Sequence, residues 1–295
     1  MNGKIGVTLL LGLCLALPKA AWCGETDARD YIPAPDGTTL LLTYAKHITA
    51  DSTYVNGKRN GDFNYTQNLG FFRLVHFKET FGIMADYQAL FFFNDQHLDL
   101  GGGGKPEFSA SGMGDPCFLA TFWLVNNRAS KTYVGFSPYF TVPLGEYSRS
   151  RTLNAGTNQW AFKEEFGIEQ GIGDRFVVGI QPSVEFYTDN TDYAGSGGAK
   201  VTQSKEPLFQ LQTHLSYDVT PSFFIAGDYT YQNGAATKTA GVSDANSRID
   251  SHKAGASFNF KLTDSVQVML QYQNTFSTKN GAAVDIFGTR LLYVF

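Results

Sequence analysis

Charge is the first thing this chain is short of: Asp, Glu, Lys and Arg make up 17% of its 295 residues, where soluble domains carry about one quarter. Long hydrophobic runs are missing too. Beyond the extreme N-terminus no segment approaches the roughly 20 apolar residues of a spanning helix, which excludes a helical membrane protein. A net charge of -4, with no Lys/Arg block and no recognition-helix pattern, excludes a nucleic-acid binder. Cysteines number 3, and no Cys/His spacing of a zinc site exists. There is no Gly-x-Ser-x-Gly nucleophile elbow. The run Gly101 to Gly104 is followed by Lys105-Pro106 instead of the Lys-Ser/Thr of a phosphate loop, so no cofactor is expected. What the chain does have is 25 Phe, 15 Tyr and 31 Gly at a mean hydropathy of -0.18. Many aromatics in a chain that is not hydrophobic on average point to an all-β protein.

Residues 1–23 read as a secretory signal. Lys4 supplies a positive charge, Ile5 to Leu17 form an apolar stretch, and Ala21-Trp22-Cys23 puts small residues at the cleavage positions. Trp22 is too bulky to precede a lipidated cysteine. With Cys14 and Cys23 removed, Cys117 is the single thiol and no internal disulfide is expected. Residues 24–37 are expected as a periplasmic segment, and Pro33 and Pro35 favour an extended form suited to a plug in a lumen. Residues 38–295 carry the barrel argued next.

From Thr38 onward, apolar and polar residues alternate with period two, the pattern of strands. Phe209, Leu211, Leu215 and Tyr217 alternate with Gln210, Gln212, His214 and Ser216; Ala254, Ala256, Phe258 and Phe260 alternate with Lys253, Ser257 and Asn259. Short links such as Gly173 to Arg175 and Thr220 to Ser222 alternate with long ones at 50–62, 95–114, 145–159, 189–205, 233–250 and 279–285. That asymmetry is the mark of a transmembrane antiparallel up-and-down β-barrel, with short periplasmic turns, long extracellular loops and aromatic girdles. The runs predict about 12 strands, at 38–50, 63–78, 82–94, 115–126, 131–144, 158–171, 175–188, 205–219, 222–233, 250–263, 265–278 and 284–295. Phe287, Leu291, Tyr293 and terminal Phe295 lie on one face and resemble the C-terminal assembly signal of outer-membrane barrels. Arg290 stands where that signal often has glycine.

Strand parity predicts an inward-facing set comprising Arg73, Asp86, Gln88, Lys163, Glu165, Gln181, Glu185, Gln210, Gln212, His214, Asp228, Lys253, Lys261, Gln271 and Arg290. Both signs of charge are present, which suits internal cross-linking, and Lys163 with Glu165 suits a constriction. Twelve strands lie between barrels filled by side chains and open aqueous channels, so the lumen should be narrow.

Four stretches carry a resemblance: Ala28-Arg29-Asp30-Tyr31-Ile32-Pro33-Ala34-Pro35-Asp36-Gly37-Thr38, Met113-Gly114-Asp115-Pro116, Pro143-Leu144-Gly145-Glu146-Tyr147, and Asn154 through Gly167. The chain resembles the outer-membrane protein family labelled "putative meta-pathway of phenol degradation" over essentially its whole mature length. It departs from that pattern at Gln159, where Arg is expected, and at Glu164, where Pro is expected. The resemblance implies a transport-type barrel associated with catabolism of aromatic or other hydrophobic compounds.

The expected activity is therefore passive uptake of small aromatic or hydrophobic solutes by a monomeric outer-membrane channel. Its partners would be membrane lipid, lipopolysaccharide, the outer-membrane insertion machinery and the solute. Two other readings compete. Long loops suit a structural or adhesive barrel, and His214-x-Ser216 resembles part of an outer-membrane phospholipase site, although Tyr217-Asp218 follows the serine where that family has Asn-Gly. Asp95-x-His97-x-Asp99 would share a face in an extended strand, but solvated loop residues are the simpler reading, and no metal site is expected.

Overall fold

The computed structural model describes residues 25–101, 106–244 and 246–295; the signal expected over 1–23 lies outside the described residues. The alternating runs form strands β1 (Thr39–Val55), β2 (Lys58–Thr80), β3 (Ile83–Asp99), β4 (Glu107–Met113), β5 (Cys117–Asn127), β6 (Thr132–Thr141), β7 (Ala161–Ile172) and β8 (Phe176–Tyr187). There follow β9 (Asn190–Ala194), β10 (Lys200–Lys205), β11 (Leu208–Thr220), β12 (Phe223–Gly234), β13 (Thr237–Thr239), β14 (Val242–Ser243), β15 (Ile249–Lys261), β16 (Val266–Thr278) and β17 (Gly281–Val294). Neighbours pair antiparallel, and β1 meets β17 from Leu40↔Val294 to Thr49↔Asp285, which closes the sheet. β3 pairs with β4 at one end and β5 at the other, on either side of Gly114-Asp115-Pro116. Those two pieces share one place in the wall, giving a closed 12-strand antiparallel barrel.

The wall is inside-out relative to a soluble protein. Phe72, Phe91, Phe162, Leu215, Phe258 and Leu291 are 37–53% exposed on the outer face, whereas Gln67, Ser137, Glu165 and Gln181 are 0% exposed within. An apolar outer band is what a lipid bilayer requires of a barrel. Phe287, Leu291, Tyr293 and Phe295 are all on that exposed face.

Three expectations need correction. The links expected as loops at 50–62, 95–114 and 279–285 are largely strand: β1 runs on to Val55 and turns into β2 at Asn56 and Gly57, whose φ of 51° and 77° suit a two-residue hairpin, and β17 begins at Gly281. Backbone pairing of β1 with β2 continues as far as Val55↔Lys58, although apolar alternation does not. The links at 189–205 and 233–250 carry β9, β10, β13 and β14, which pair into a separate four-stranded sheet. Cys117, expected as a lone thiol, is fully buried and disulfide-bonded. That expectation assumed that Cys14 and Cys23 leave with the signal, and both lie outside the described residues.

Candidate functional site

The barrel interior has two unlike halves. From β1 to β6 apolar side chains predominate, with Leu42, Tyr44, Tyr65, Leu69, Phe71, Leu90, Phe92, Leu119, Trp123 and Tyr139 buried beside polar Lys46, Gln67, Asp86, Gln88 and Ser137. From β7 to β16 it is lined by Lys163, Glu165, Glu169, Gln181, Gln210, Gln212, His214, Asp228, Lys253, Asn259 and Gln271, also buried. Parity alone misses the apolar half. Its signal is the loss of alternation in Phe71-Phe72 and Phe91-Phe92-Phe93, where both faces of a strand are aromatic.

Residues 25–35 lie inside this lumen. The segment enters beside the short turns, where Gly37 N–H donates to the Phe77 carbonyl at 2.9 Å and Glu79 N–H donates to Asp36 at 2.7 Å. A tight turn then folds Asp27 to Ile32, with Arg29 at φ 73°. Asp27 Oδ2 accepts from Arg290 Nη1 at 2.7 Å and from the Tyr44 hydroxyl at 2.9 Å. Asp30 accepts from Arg73 Nη1 at 2.8 Å. Glu25 pairs with Lys253 and lies 4.0 Å from Lys46. On the polar side, Arg29 donates to Asp218 at 2.8 Å and to the Ser216 hydroxyl at 2.9 Å, its guanidinium 4.0 Å from the Phe224 ring centre.

Tyr31 is the centre of the brace. Its hydroxyl donates to Glu165 at 2.9 Å and its carbonyl accepts from Trp123 Nε1 at 2.8 Å. Its ring lies against Gly135 and Gly167, which face each other across β6 and β7. A Cβ on Gly167 would come within 2.1 Å of the ring, so only glycine leaves room for it. Burial opposes ionisation of Glu25 and Asp27, but the basic groups outweigh it: Lys253 and Lys46 hold Glu25, and Arg290, Lys46 and Arg73 hold Asp27, below the usual carboxylate range.

The other inward residues fall into separate groups. Lys163 bonds Glu165 at 2.9 Å and stands 3.6 Å over the Tyr139 ring. His214 Nδ1 lies 2.6 Å from Asp228. Asp86 accepts from Gln88, which in turn accepts from Arg73 Nε at 2.7 Å. Gln210 donates to Gln212 at 3.0 Å. Gln181 and Gln271 are buried inside, Glu185 lies farther up, bonded by the Tyr187 hydroxyl at 2.6 Å, and Lys261 reaches out to Asp264 at 2.7 Å. The Ser216 hydroxyl is engaged by Arg29 and donates to the Val177 carbonyl. Among the described residues no group of three or more His, Cys, Asp or Glu is placed to hold a metal ion.

A second element narrows the lumen from the long-loop end. The link between β6 and β7 folds over the inner face of β3, where Asn94 donates to the Ala155 carbonyl at 3.4 Å and Gln96 to that of Asn154 at 3.3 Å. Asp115 pins it, accepting from Gly145 N–H at 2.8 Å and from the Thr157 N–H and hydroxyl at 2.7 Å. A Cβ at Gly145 would lie 2.7 Å from the backbone of Gly114. The motif pieces Gly114-Asp115-Pro116, Pro143-Leu144-Gly145 and Asn154 to Thr157 thus meet in one clasp. Beside the N-terminal segment remains a cavity of ≈ 30 Å³ lined by Tyr44, Phe71, Leu90, Leu119, Tyr139, Lys46 and Arg73. A benzene-sized guest occupies a cavity of about 150 Å³, so this cavity takes no aromatic ring while the segment is in place.

The sequence model of the family described as "Putative MetA-pathway of phenol degradation" matches residues 49–291. Among solved structures, the COG4313 outer membrane channel from Pseudomonas putida F1 is similar with TM-score 0.82 at 25% identity, over 92% of this chain and 100% of that one. The β domain of the Bordetella autotransporter BrkA shares the fold at TM-score 0.55 and 13% identity, over 88% of this chain and 100% of that one. Among curated proteins none matches.

Proposed function

The chain belongs to the family whose model it matches over most of its length, and on that premise we propose that it is an outer-membrane channel for passive uptake of small aromatic or hydrophobic solutes. The observation that carries this reading is the divided lumen, in which an aromatic wall from β1 to β6 faces a hydrogen-bonding wall from β7 to β16. A solute with an aromatic ring exchanges water for Tyr44, Phe71 and Tyr139 on one side and for amides and hydroxyls on the other. The COG4313 protein is an outer membrane channel by its description, and the similarity of fold supports the same use here.

In this reading residues 25–35 are a plug braced across the lumen, and transport begins when the brace lets go. Arg73, Asp86, Lys163, Glu165, Glu185, Gln210, Gln212, His214, Asp228, Lys253 and Arg290 line the path. A single copy closes its own wall between β1 and β17, which supports a monomer. The outward stripe of Phe287, Leu291, Tyr293 and Phe295 is the face offered to the insertion machinery. Liposome swelling with a panel of phenols, fatty acids and sugars tests the reading against protein-free vesicles: faster entry of the aromatic members supports it, and no acceleration of any member overturns it.

A further inference from the structure

Apart from Arg29, which pairs with Asp218 of the wall, the charges that hold the N-terminal segment are divided by sign. The wall supplies the cations Lys46, Arg73, Lys253 and Arg290, and the segment supplies the anions Glu25, Asp27 and Asp30. The four cations stand on β15, β17, β1 and β2, which lie along one arc of the wall, since β16 is the only strand among them without one. Lys46, Lys253 and Arg290 are at most 9% exposed. Two inward carboxylates have partners of their own: Glu165, across the lumen on β7, has Lys163, and Asp228, on β12 next to β15, has His214. Directly beside the arc, Tyr44 and Phe71 stack at 4.1 Å with an interplanar angle of 9°, and Phe92 follows at 5.2 Å.

If the segment withdraws, this arc becomes a set of cations in a partly desolvated chamber with an aromatic face alongside. Arg73 and Arg290 would keep the neutral acceptors Gln88 and Asn259 but lose their carboxylates; a buried charge that loses its counter-ion is costly, so withdrawal is opposed unless another anion takes the vacated place. A neutral phenol brings none. We propose that the segment's carboxylates occupy a binding site for the carboxylate of a small aromatic acid, and that such a solute passes by exchanging with them. The ring lies on Tyr44 and Phe71 while Arg73 and Arg290 take the carboxylate, Arg being suited to a paired contact with its two oxygens. The inference rests on the channel and plug reading and names the solute class that reading leaves open.

Titration calorimetry of the purified full chain in detergent with sodium benzoate, benzamide and sodium acetate tests it, beside planar-bilayer conductance of the same preparation. Benzoate is expected to bind about tenfold more tightly than benzamide, the amount that one charge-assisted hydrogen bond contributes, and more tightly than acetate, which has the carboxylate without the ring. Arg73→Gln is expected to remove that preference. Because this variant alters the wall, the paired substitution Asp27→Asn with Asp30→Asn provides a test with the wall intact: benzoate should bind about tenfold more tightly than to the unaltered chain, and the reversal potential in a KCl gradient should move toward that of chloride. Equal binding of benzoate and benzamide, or binding of neither, in a preparation that conducts overturns the inference and leaves the channel standing. Absence of conductance from both the full chain and a chain lacking residues 25–35 overturns the channel reading itself.

Discussion

Tyr31 reaches three elements at once, through Glu165, Trp123 and the Gly135–Gly167 slot. Filling the slot is therefore the least invasive way to dislodge the segment. Gly167→Ala places a methyl group in the ring, and overpacking of this kind costs about 1–3 kcal/mol. The segment is expected to lose occupancy about tenfold or more, read as a rise in open-channel current with the barrel's heat-resistant gel mobility unchanged. Acid should act on the same brace through Glu25 and Asp27. Their carboxyls are held below the usual range in place, so their contribution is present above about pH 4, the range of unperturbed carboxylates. It is lost as pH falls through the lowered values. Conductance is expected to stay level from about pH 7 to 5 and to rise only below about pH 4; a rise near neutral pH would contradict these two groups as the controlling ones. Parity in the sequence assigns Arg73, Asp27 and Arg290 no partners. A face is legible one residue at a time, whereas the meeting of Arg290 with Asp27, 263 positions apart, depends on how the ring of strands closes.

The strands themselves were legible because each carries its own signal. Alternation, short turns at Gly173 and Thr220 to Ser222, and the apolar stripe ending β17 are local features, and the 12-strand count follows from them. The links were less so. Residues 50–62 lack the apolar half of the pattern, yet Asn56-Gly57 fixes a hairpin that carries β1 and β2 beyond the lipid band. The link between β6 and β7 has no periodicity at all, and only its glycines signal close packing: Gly145 and Gly156 each leave no space for a Cβ against neighbouring backbone. The Asp115 carboxylate supplies three of the bonds that hold this element. Asp115→Ala is expected to free residues 142–160 from the inner face of β3, giving faster proteolytic cleavage there and noisier single-channel currents. Asp115→Asn keeps one acceptor oxygen and should show a smaller effect in both measurements.

At the scale of the whole molecule, the low charge and high aromatic content describe two surfaces. The outside spends its aromatics on lipid, with Phe72, Phe91, Phe93 and Phe118 at 41–48% exposure. The inside spends a second set on one half of the lumen and gathers the scarce charges into a brace. A channel with permanently open polar walls needs no such brace. Here the wall cations meet anions from a segment that enters at the short-turn end, and the cavity left beside it is too small for an aromatic ring. The central claim is that residues 25–35 close this channel, and single-channel conductance of the chain lacking them tests it most directly. A larger and steadier conductance than that of the full chain is expected. Unchanged conductance would contradict the account, because a tail that hangs outside the barrel can be removed without consequence.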